Sequence, residues 1–159
     1  VSNKRVKTQR INSDSIPPSK GTYLLFLSNT KSQNINIGKQ GSFLFPSGLL
    51  VYVGSALGAG GLRGRISHHL RVNRKCHWHI DYLLQKMPVY QVLYIENPSR
   101  LEHKWAMLLE RIPKLNIPMK RFGASDCQCA SHLFHIPFQY GDIQIEQKLK
   151  DDVMKISVL

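Results

Sequence analysis

Acidic residues are scarce in this chain, and one long stretch has none: between Ser15 and Ile80 there is not a single Asp or Glu. Over all 159 residues, 10 acids face 22 Lys and Arg, a net charge of +12. The acid-free stretch carries Lys20, Lys31, Lys39, Arg63, Arg65, Arg71, Arg74 and Lys75, so the positive field is local. Clustered cations gain free energy by releasing counterions from a phosphate backbone, which makes nucleic acid the expected partner. Cysteine is sparse as well. Three of them, an odd number without a framework spacing, argue against a disulfide-stapled secreted domain. No apolar run approaches the roughly 20 residues of a membrane span. The opening VSNKRVKTQR lacks the apolar stretch of a secretory signal. A cytoplasmic protein with no membrane partner is expected.

What is present centres on LLVYVGSALGAGGLRGRISHHL, from Leu49 to Leu70. Leu49 to Val53 is a continuous apolar run with β-branched and aromatic members, which suits a covered strand. Gly58, Gly60 and Gly61 supply a turn. Leu62, Ile66 and Leu70 then repeat at helical spacing, leaving Arg65 and His69 one turn apart on another face. Upstream, GTYLLFLS from Gly21 is a second apolar strand with both faces covered. Residues 35–37 and 43–45 read as a short hairpin split by Gly38 and Gly41. Downstream, Ile80, Leu83, Leu84 and Met87 mark a helix over about residues 78–86, ended by Pro88. Val89 to Glu96 is a third main strand. Leu101, Trp105, Leu108, Leu109 and Ile112 form the apolar face of a last helix from about Ser99.

Too little chain separates the first two strands for a crossover helix, so they are expected to run antiparallel. The fold class is therefore α+β, a small antiparallel sheet of three main strands with an extra hairpin, flanked by helices. A content of 42% hydrophobic residues is enough for one globular domain. Residues 1–19 read as a basic, mobile arm that becomes ordered near its prolines, residues 20–136 as the domain, and residues 137–159 as an unassigned extension.

Gly21-Thr22-Tyr23, Tyr52-Val53-Gly54-Ser55-Ala56, Arg65 with His69, and Glu102 on a later helix resemble the GIY-YIG nuclease superfamily. GTYLLFL, YVGSALGAGGLRGRISHHL, HWHIDYLL and FGASDCQCASHLF resemble more closely its compact branch, called domain of unknown function 123, over about residues 20–135. The resemblance implies a GIY-YIG-like fold and phosphodiester cleavage, on DNA by family habit, with one Mg²⁺ or Mn²⁺ ion. By position, Tyr23 and Tyr52 match the motif tyrosines, Arg65 the arginine of the first helix, His69 the residue one turn on, and Glu102 the metal-binding carboxylate. For the superfamily's closing asparagine, Asp126 ranks slightly above Asn116 and Ser125. GTY and YVG replace the usual motif spellings but keep both tyrosines.

These residue types suit that chemistry. A phenol lowered in pKa by cations can take a proton from water. A guanidinium offers a planar, always charged fork to a phosphate oxygen gaining charge. A single carboxylate suits Mg²⁺, which keeps most of its waters. Arg63, Arg71, Arg74, Lys75 and Lys39 are the candidate nucleic-acid contacts, with His77, His79 and Ser55 as further site candidates. Duller roles compete: the tyrosines as core aromatics, Arg65 and His69 as a solvated face, and Glu102 as the closing residue of a capping box opened by Ser99. Cys127-x-Cys129-x-x-His132 raises zinc, with His77 or His79 to complete four ligands. Two cysteines one residue apart are not the usual spacing, so zinc is not expected. The alternative to an endonuclease is a binding module of the same fold that does not cleave.

Overall fold

The computed structural model describes residues 11–71, 75–141, 143–152 and 157–158. The chain builds β1 (Gly21–Asn29), the hairpin β2 (Gln33–Asn36) and β3 (Ser42–Phe45), β4 (Gly48–Ala56), α1 (Gly61–Leu70) and α2 (His79–Leu84). It continues through β5 (Val89–Glu96), α3 (Glu102–Glu110), β6 (Leu133–Ile136), α4 (Ile143–Asp152) and β7 (Ser157–Val158). The main sheet has the order β6-β4-β1-β5-β7, and its strand pairs are antiparallel. The fold is α+β, as the pattern of elements predicts. The expected three main strands occupy its centre, and the hairpin stands as a separate two-stranded sheet. Among the described residues no helix is long and apolar enough to cross a membrane.

The continuous apolar runs of β1 and β4 have a direct cause: the sheet is covered on both faces. Tyr23, Leu25, Leu27, Leu50 and Tyr52 point to one side, where Leu62 and Ile66 of α1, Ile80 and Leu83 of α2, and Phe122 pack. Leu24, Phe26, Val51 and Val53 point to the other, against Trp105, Ala106 and Leu109 of α3 and Ile145 and Leu149 of α4. The two-residue alternation of strands assigns both tyrosines to the α1/α2 face. In the β1–β4 register Tyr23 lies opposite Gly54, and a Cβ at Gly54 would run into the Tyr23 phenol. The glycine of the YVG sequence thus makes room for the tyrosine of GTY.

Residues 13–19 pack onto the start of α1. Ile16 is fully buried, and the backbone N–H groups of Leu62 and Arg63 donate to the carbonyls of Ser19 (2.9 Å) and Pro17 (3.1 Å). Those carbonyls satisfy helix-start donors that have no intrahelical partner. Gly61 adopts φ +58°, and a Cβ there would collide with the Pro18 carbonyl oxygen, so only glycine fits. The expected arm is therefore docked from residue 13 onward, while residues 1–10 lie outside the described residues.

Candidate active site

A cleft of about 410 Å³ opens at the end of the sheet where β4, α1, α2 and the start of α3 converge. Its lining includes Tyr52, Ser55, Arg65, Glu102 and Asp126, together with His77, Trp78 and His79. Tyr52 is delivered by β4, Arg65 by the second turn of α1 and Glu102 by the first residue of α3. Asp126, with Ser125 and Gly123, comes from the loop before β6. Three stretches far apart in sequence thus bring a phenol, a guanidinium and a carboxylate to one space.

Tyr23 and His69 lie beneath this cleft. Both are buried, and the Tyr23 hydroxyl sits 2.7 Å from His69 Nε2. The other imidazole nitrogen, Nδ1, faces Asp81 Oδ1 at 3.6 Å, an electrostatic contact longer than a hydrogen bond. Asp81 is fully buried, and its Oδ2 accepts the backbone N–H groups of His77 (2.8 Å) and Trp78 (2.9 Å), closing the start of α2. His68 Nε2 lies 3.4 Å from the same oxygen. A carboxylate opposite Nδ1 favours the tautomer with the proton there, so Nε2 accepts from the Tyr23 O–H. Arg65 lies close enough to Tyr23 to act on its phenol, and so heads the order Arg65, Tyr23, His69, Asp81. Within it the Tyr23 O–H donates to His69 Nε2, and His69 Nδ1 faces the Asp81 carboxylate.

Electrostatics follow from this burial. Desolvation, with Tyr52 beside it, pushes the Tyr23 phenol well above its ordinary value, and Arg65 pulls it part of the way back. Burial and then Glu102 raise Tyr52 as well, again opposed by Arg65. Burial lowers His69 below the usual imidazole value, although Asp81 acts against the shift. For Asp81, burial alone would raise the carboxyl. The contact with His69 and the two backbone N–H groups outweigh it and hold the group well below the usual range. Arg65 lies over the Trp78 ring, 4.2 Å from its centroid. Such stacking contributes about 0.5–2 kcal/mol and orients the guanidinium without neutralising it. Among the described residues no carboxylate pairs with Arg65, so its charge is available to an incoming anion.

Acid sensitivity is a consequence. Both folded pKa values lie below the unfolded ones, so the unfolded chain binds protons first as pH falls and stability is lost. The contribution is complete above the usual imidazole value of 6.5 and declines below it as His69 protonates, with Arg65 and His68 opposing that charge and Asp81 favouring it. A second loss sets in below the usual carboxyl value of 3.8. Urea midpoints are expected to hold level at neutral pH and fall in these two stages, and Asp81→Asn to flatten the lower one. A midpoint that does not change as the pH is lowered through both values contradicts this reading.

The remaining sequence candidates divide. Arg71 lines a neighbouring groove of about 330 Å³ with Arg65, His68 and the glycines of the β4–α1 turn. Arg63 points elsewhere, its Nε donating to the Ile16 carbonyl at 2.7 Å. Lys75 is exposed just before α2. Lys39 sits on the hairpin turn, whose Gly38 lies against Tyr82 of α2, away from the cleft. Arg74 lies outside the described residues. Asn116 is not part of the cleft: it pairs through its backbone with His135 beside β6, which leaves Asp126 as the polar residue of that region at the site.

The capping box on α3 does not form. The helix starts two residues late for it, with Leu101 at the cap position and no side-chain cap bond, and the Ser99 N–H donates to Asn97 Oδ1 instead. Glu102 is free of that role. It is 8% exposed, with Oε1 3.3 Å from Arg100 Nη1 and 3.6 Å from His103 Nε2. Two residues escaped the sequence reading, Asp81 and His103. Asp81 had one signal, as the first carboxylate after Asp14 set among the apolar residues of α2.

A covered antiparallel sheet with a polar cleft at one end, floored by buried tyrosine and histidine, defines a small α+β domain. The family described as domain of unknown function DUF123 matches residues 22–154, and the chain belongs to it. Neither a curated protein nor a solved structure matches.

Proposed function

We propose that this protein is a divalent-metal-dependent endonuclease of the GIY-YIG type that hydrolyses phosphodiester bonds of nucleic acid, DNA being favoured by the resemblance. The observation that carries the reading is the meeting of Tyr52, Arg65 and Glu102 in one cleft above the Tyr23–His69 pair. Glu102 and Asp126, with the hydroxyls of Ser55 and Ser125, are oxygen donors lining that cleft, a set that suits a hard cation such as Mg²⁺ or Mn²⁺. Glu102 would hold it, and when bound it would acidify a water and draw the Tyr52 phenol back toward its ordinary value. Arg65 faces the phosphate and stabilises the charge that gathers on its oxygens during attack. Tyr52 orients the attacking water from the cleft wall. Tyr23, His69 and Asp81 fix Arg65 from below. Arg71 and the groove beside Arg65 extend the cationic surface along the backbone of the substrate.

One observation favours the second reading, a binding module without turnover: both phenols are pushed upward by burial, so neither is a base on its own. Supercoiled plasmid separates the two. Nicked circles that form with Mg²⁺ or Mn²⁺ and cease with a chelator are the expected result. Salt-sensitive binding with no nicking under any divalent ion would overturn cleavage and leave the binding module.

A further inference from the structure

Behind the cleft, the described residues bring together a group of potential ligands that cleavage does not use. His103, Cys127, Cys129 and His132 hold their donor atoms all within 4.8 Å of one another. Cys127 Sγ is 3.4 Å from His132 Nε2, and the rings of His103 and His132 are 5.7 Å apart. A tetrahedral zinc ion, with Zn–S near 2.3 Å and Zn–N near 2.0 Å, needs its ligand atoms about 3.3–3.8 Å apart. The four groups therefore stand within about 1–1.5 Å of that arrangement. His103 adds an independent sign: its Nε2 is buried and makes no hydrogen bond among the described residues.

The backbone holds these side chains in place. Arg121 donates through Nη1 to the Cys129 carbonyl (2.8 Å) and through Nη2 to the Cys127 carbonyl, so one guanidinium fixes both cysteine-bearing peptides. His132 is anchored at both ends of its peptide unit, with its N–H on the Phe122 carbonyl (2.8 Å) and its carbonyl accepting the Val53 N–H of β4 (2.9 Å). His103 rides on the first turn of α3, next to Glu102. An opening of about 430 Å³ lined by His103, Cys127, Cys129 and Glu110 gives a cation a way in.

We propose that His103, Cys127, Cys129 and His132 form a structural zinc site. Two thiolates and two imidazoles are a donor set that selects zinc over Mg²⁺ or Ca²⁺. The fourth ligand comes from α3 and replaces the His77 or His79 that the sequence suggested, both of which line the cleft instead. The unusual Cys-x-Cys spacing is held in place by Arg121, which binds the carbonyls of both cysteines. The ion would tie the start of α3 to the loop carrying Ser125 and Asp126, and so hold Glu102 and that loop at a fixed separation across the cleft.

The test uses the full chain and no nucleic acid, so its failure leaves the cleavage proposal untouched. Elemental analysis is expected to find one zinc per chain. Co²⁺ added to chelator-stripped protein should give thiolate-to-cobalt charge-transfer bands with the intense visible bands of a tetrahedral site. Cys127→Ser and Cys129→Ser should each weaken binding roughly a hundredfold or more, while Cys76→Ser binds as the parent does. A readout on the unaltered chain guards against misfolded variants: with Zn²⁺ bound one thiol reacts with a thiol reagent, and after stripping three do. Octahedral cobalt spectra, substoichiometric zinc, or three reactive thiols in the presence of Zn²⁺ would overturn the site.

Discussion

Glu102→Gln is expected to lower single-turnover plasmid cleavage by about 10³–10⁴-fold while leaving the fold intact, a loss equivalent to roughly 4–5.5 kcal/mol of barrier. Glutamine is isosteric and its amide oxygen still accepts from Arg100. That pair is half exposed on the arginine side and contributes little to stability. Glu102 is also the first residue of α3, where a negative charge interacts favourably with the helix dipole. That interaction is worth only about 0.3–1 kcal/mol, too small to account for the activity loss. What the substitution removes is the charge that would hold a divalent cation in the cleft. Raising Mg²⁺ or Mn²⁺ should therefore recover part of the rate. A variant that keeps more than about a tenth of parental cleavage at low Mg²⁺ would mean that Glu102 is not the ligand.

The parts of this architecture that sequence reveals are those with a local cause. Leu24 to Leu27 and Leu49 to Val53 read as covered strands because apolar residues occupy both pleat positions, and helices do cover both faces. Arg65 and His69 read as neighbours because four residues make about one helical turn, although one lines the cleft and the other is sealed beneath it. The hidden parts depend on distant partners. β6 is only four residues long and follows a long loop, and it forms because β4 offers it an edge. α4 shows its reason only when Ile145 and Leu149 meet the α3 side of the sheet. Ser99-x-x-Glu102 has the spacing of a capping box, but the Ser99 N–H is taken by Asn97 and the helix begins later. Asp81 escaped notice because a carboxylate on a short helix ordinarily faces water. His103 escaped because its partners Cys127, Cys129 and His132 lie in a loop far along the chain.

Asp81→Asn is expected to reduce cleavage about 10²–10³-fold, as much as Arg65→Ala, although Asp81 is buried and does not line the cleft. Asparagine can keep the cap of α2, since its oxygen accepts the N–H groups of His77 and Trp78 in place of Oδ2. Its amide nitrogen then faces His69 Nδ1, where Oδ1 stood at 3.6 Å, and donates to it. The imidazole proton moves to Nε2 and points at the Tyr23 oxygen, 2.7 Å away. The Tyr23 proton must turn toward Arg65, which has no acceptor to receive it. Arg65 is left stacked on Trp78 but without its anchor beneath the cleft. Because the loss passes through Arg65, the two substitutions should not add: Asp81→Asn with Arg65→Ala should cleave about as fast as Arg65→Ala alone. Asp81→Ala loses the cap as well and should lower the urea midpoint at neutral pH further than Asp81→Asn, which keeps the cap and gives up only the stability of the ionised carboxylate. If the two losses multiply in the double variant while the fold holds, Asp81 acts by some route other than Arg65, and the ordered chain from guanidinium to carboxylate is not what aims the site.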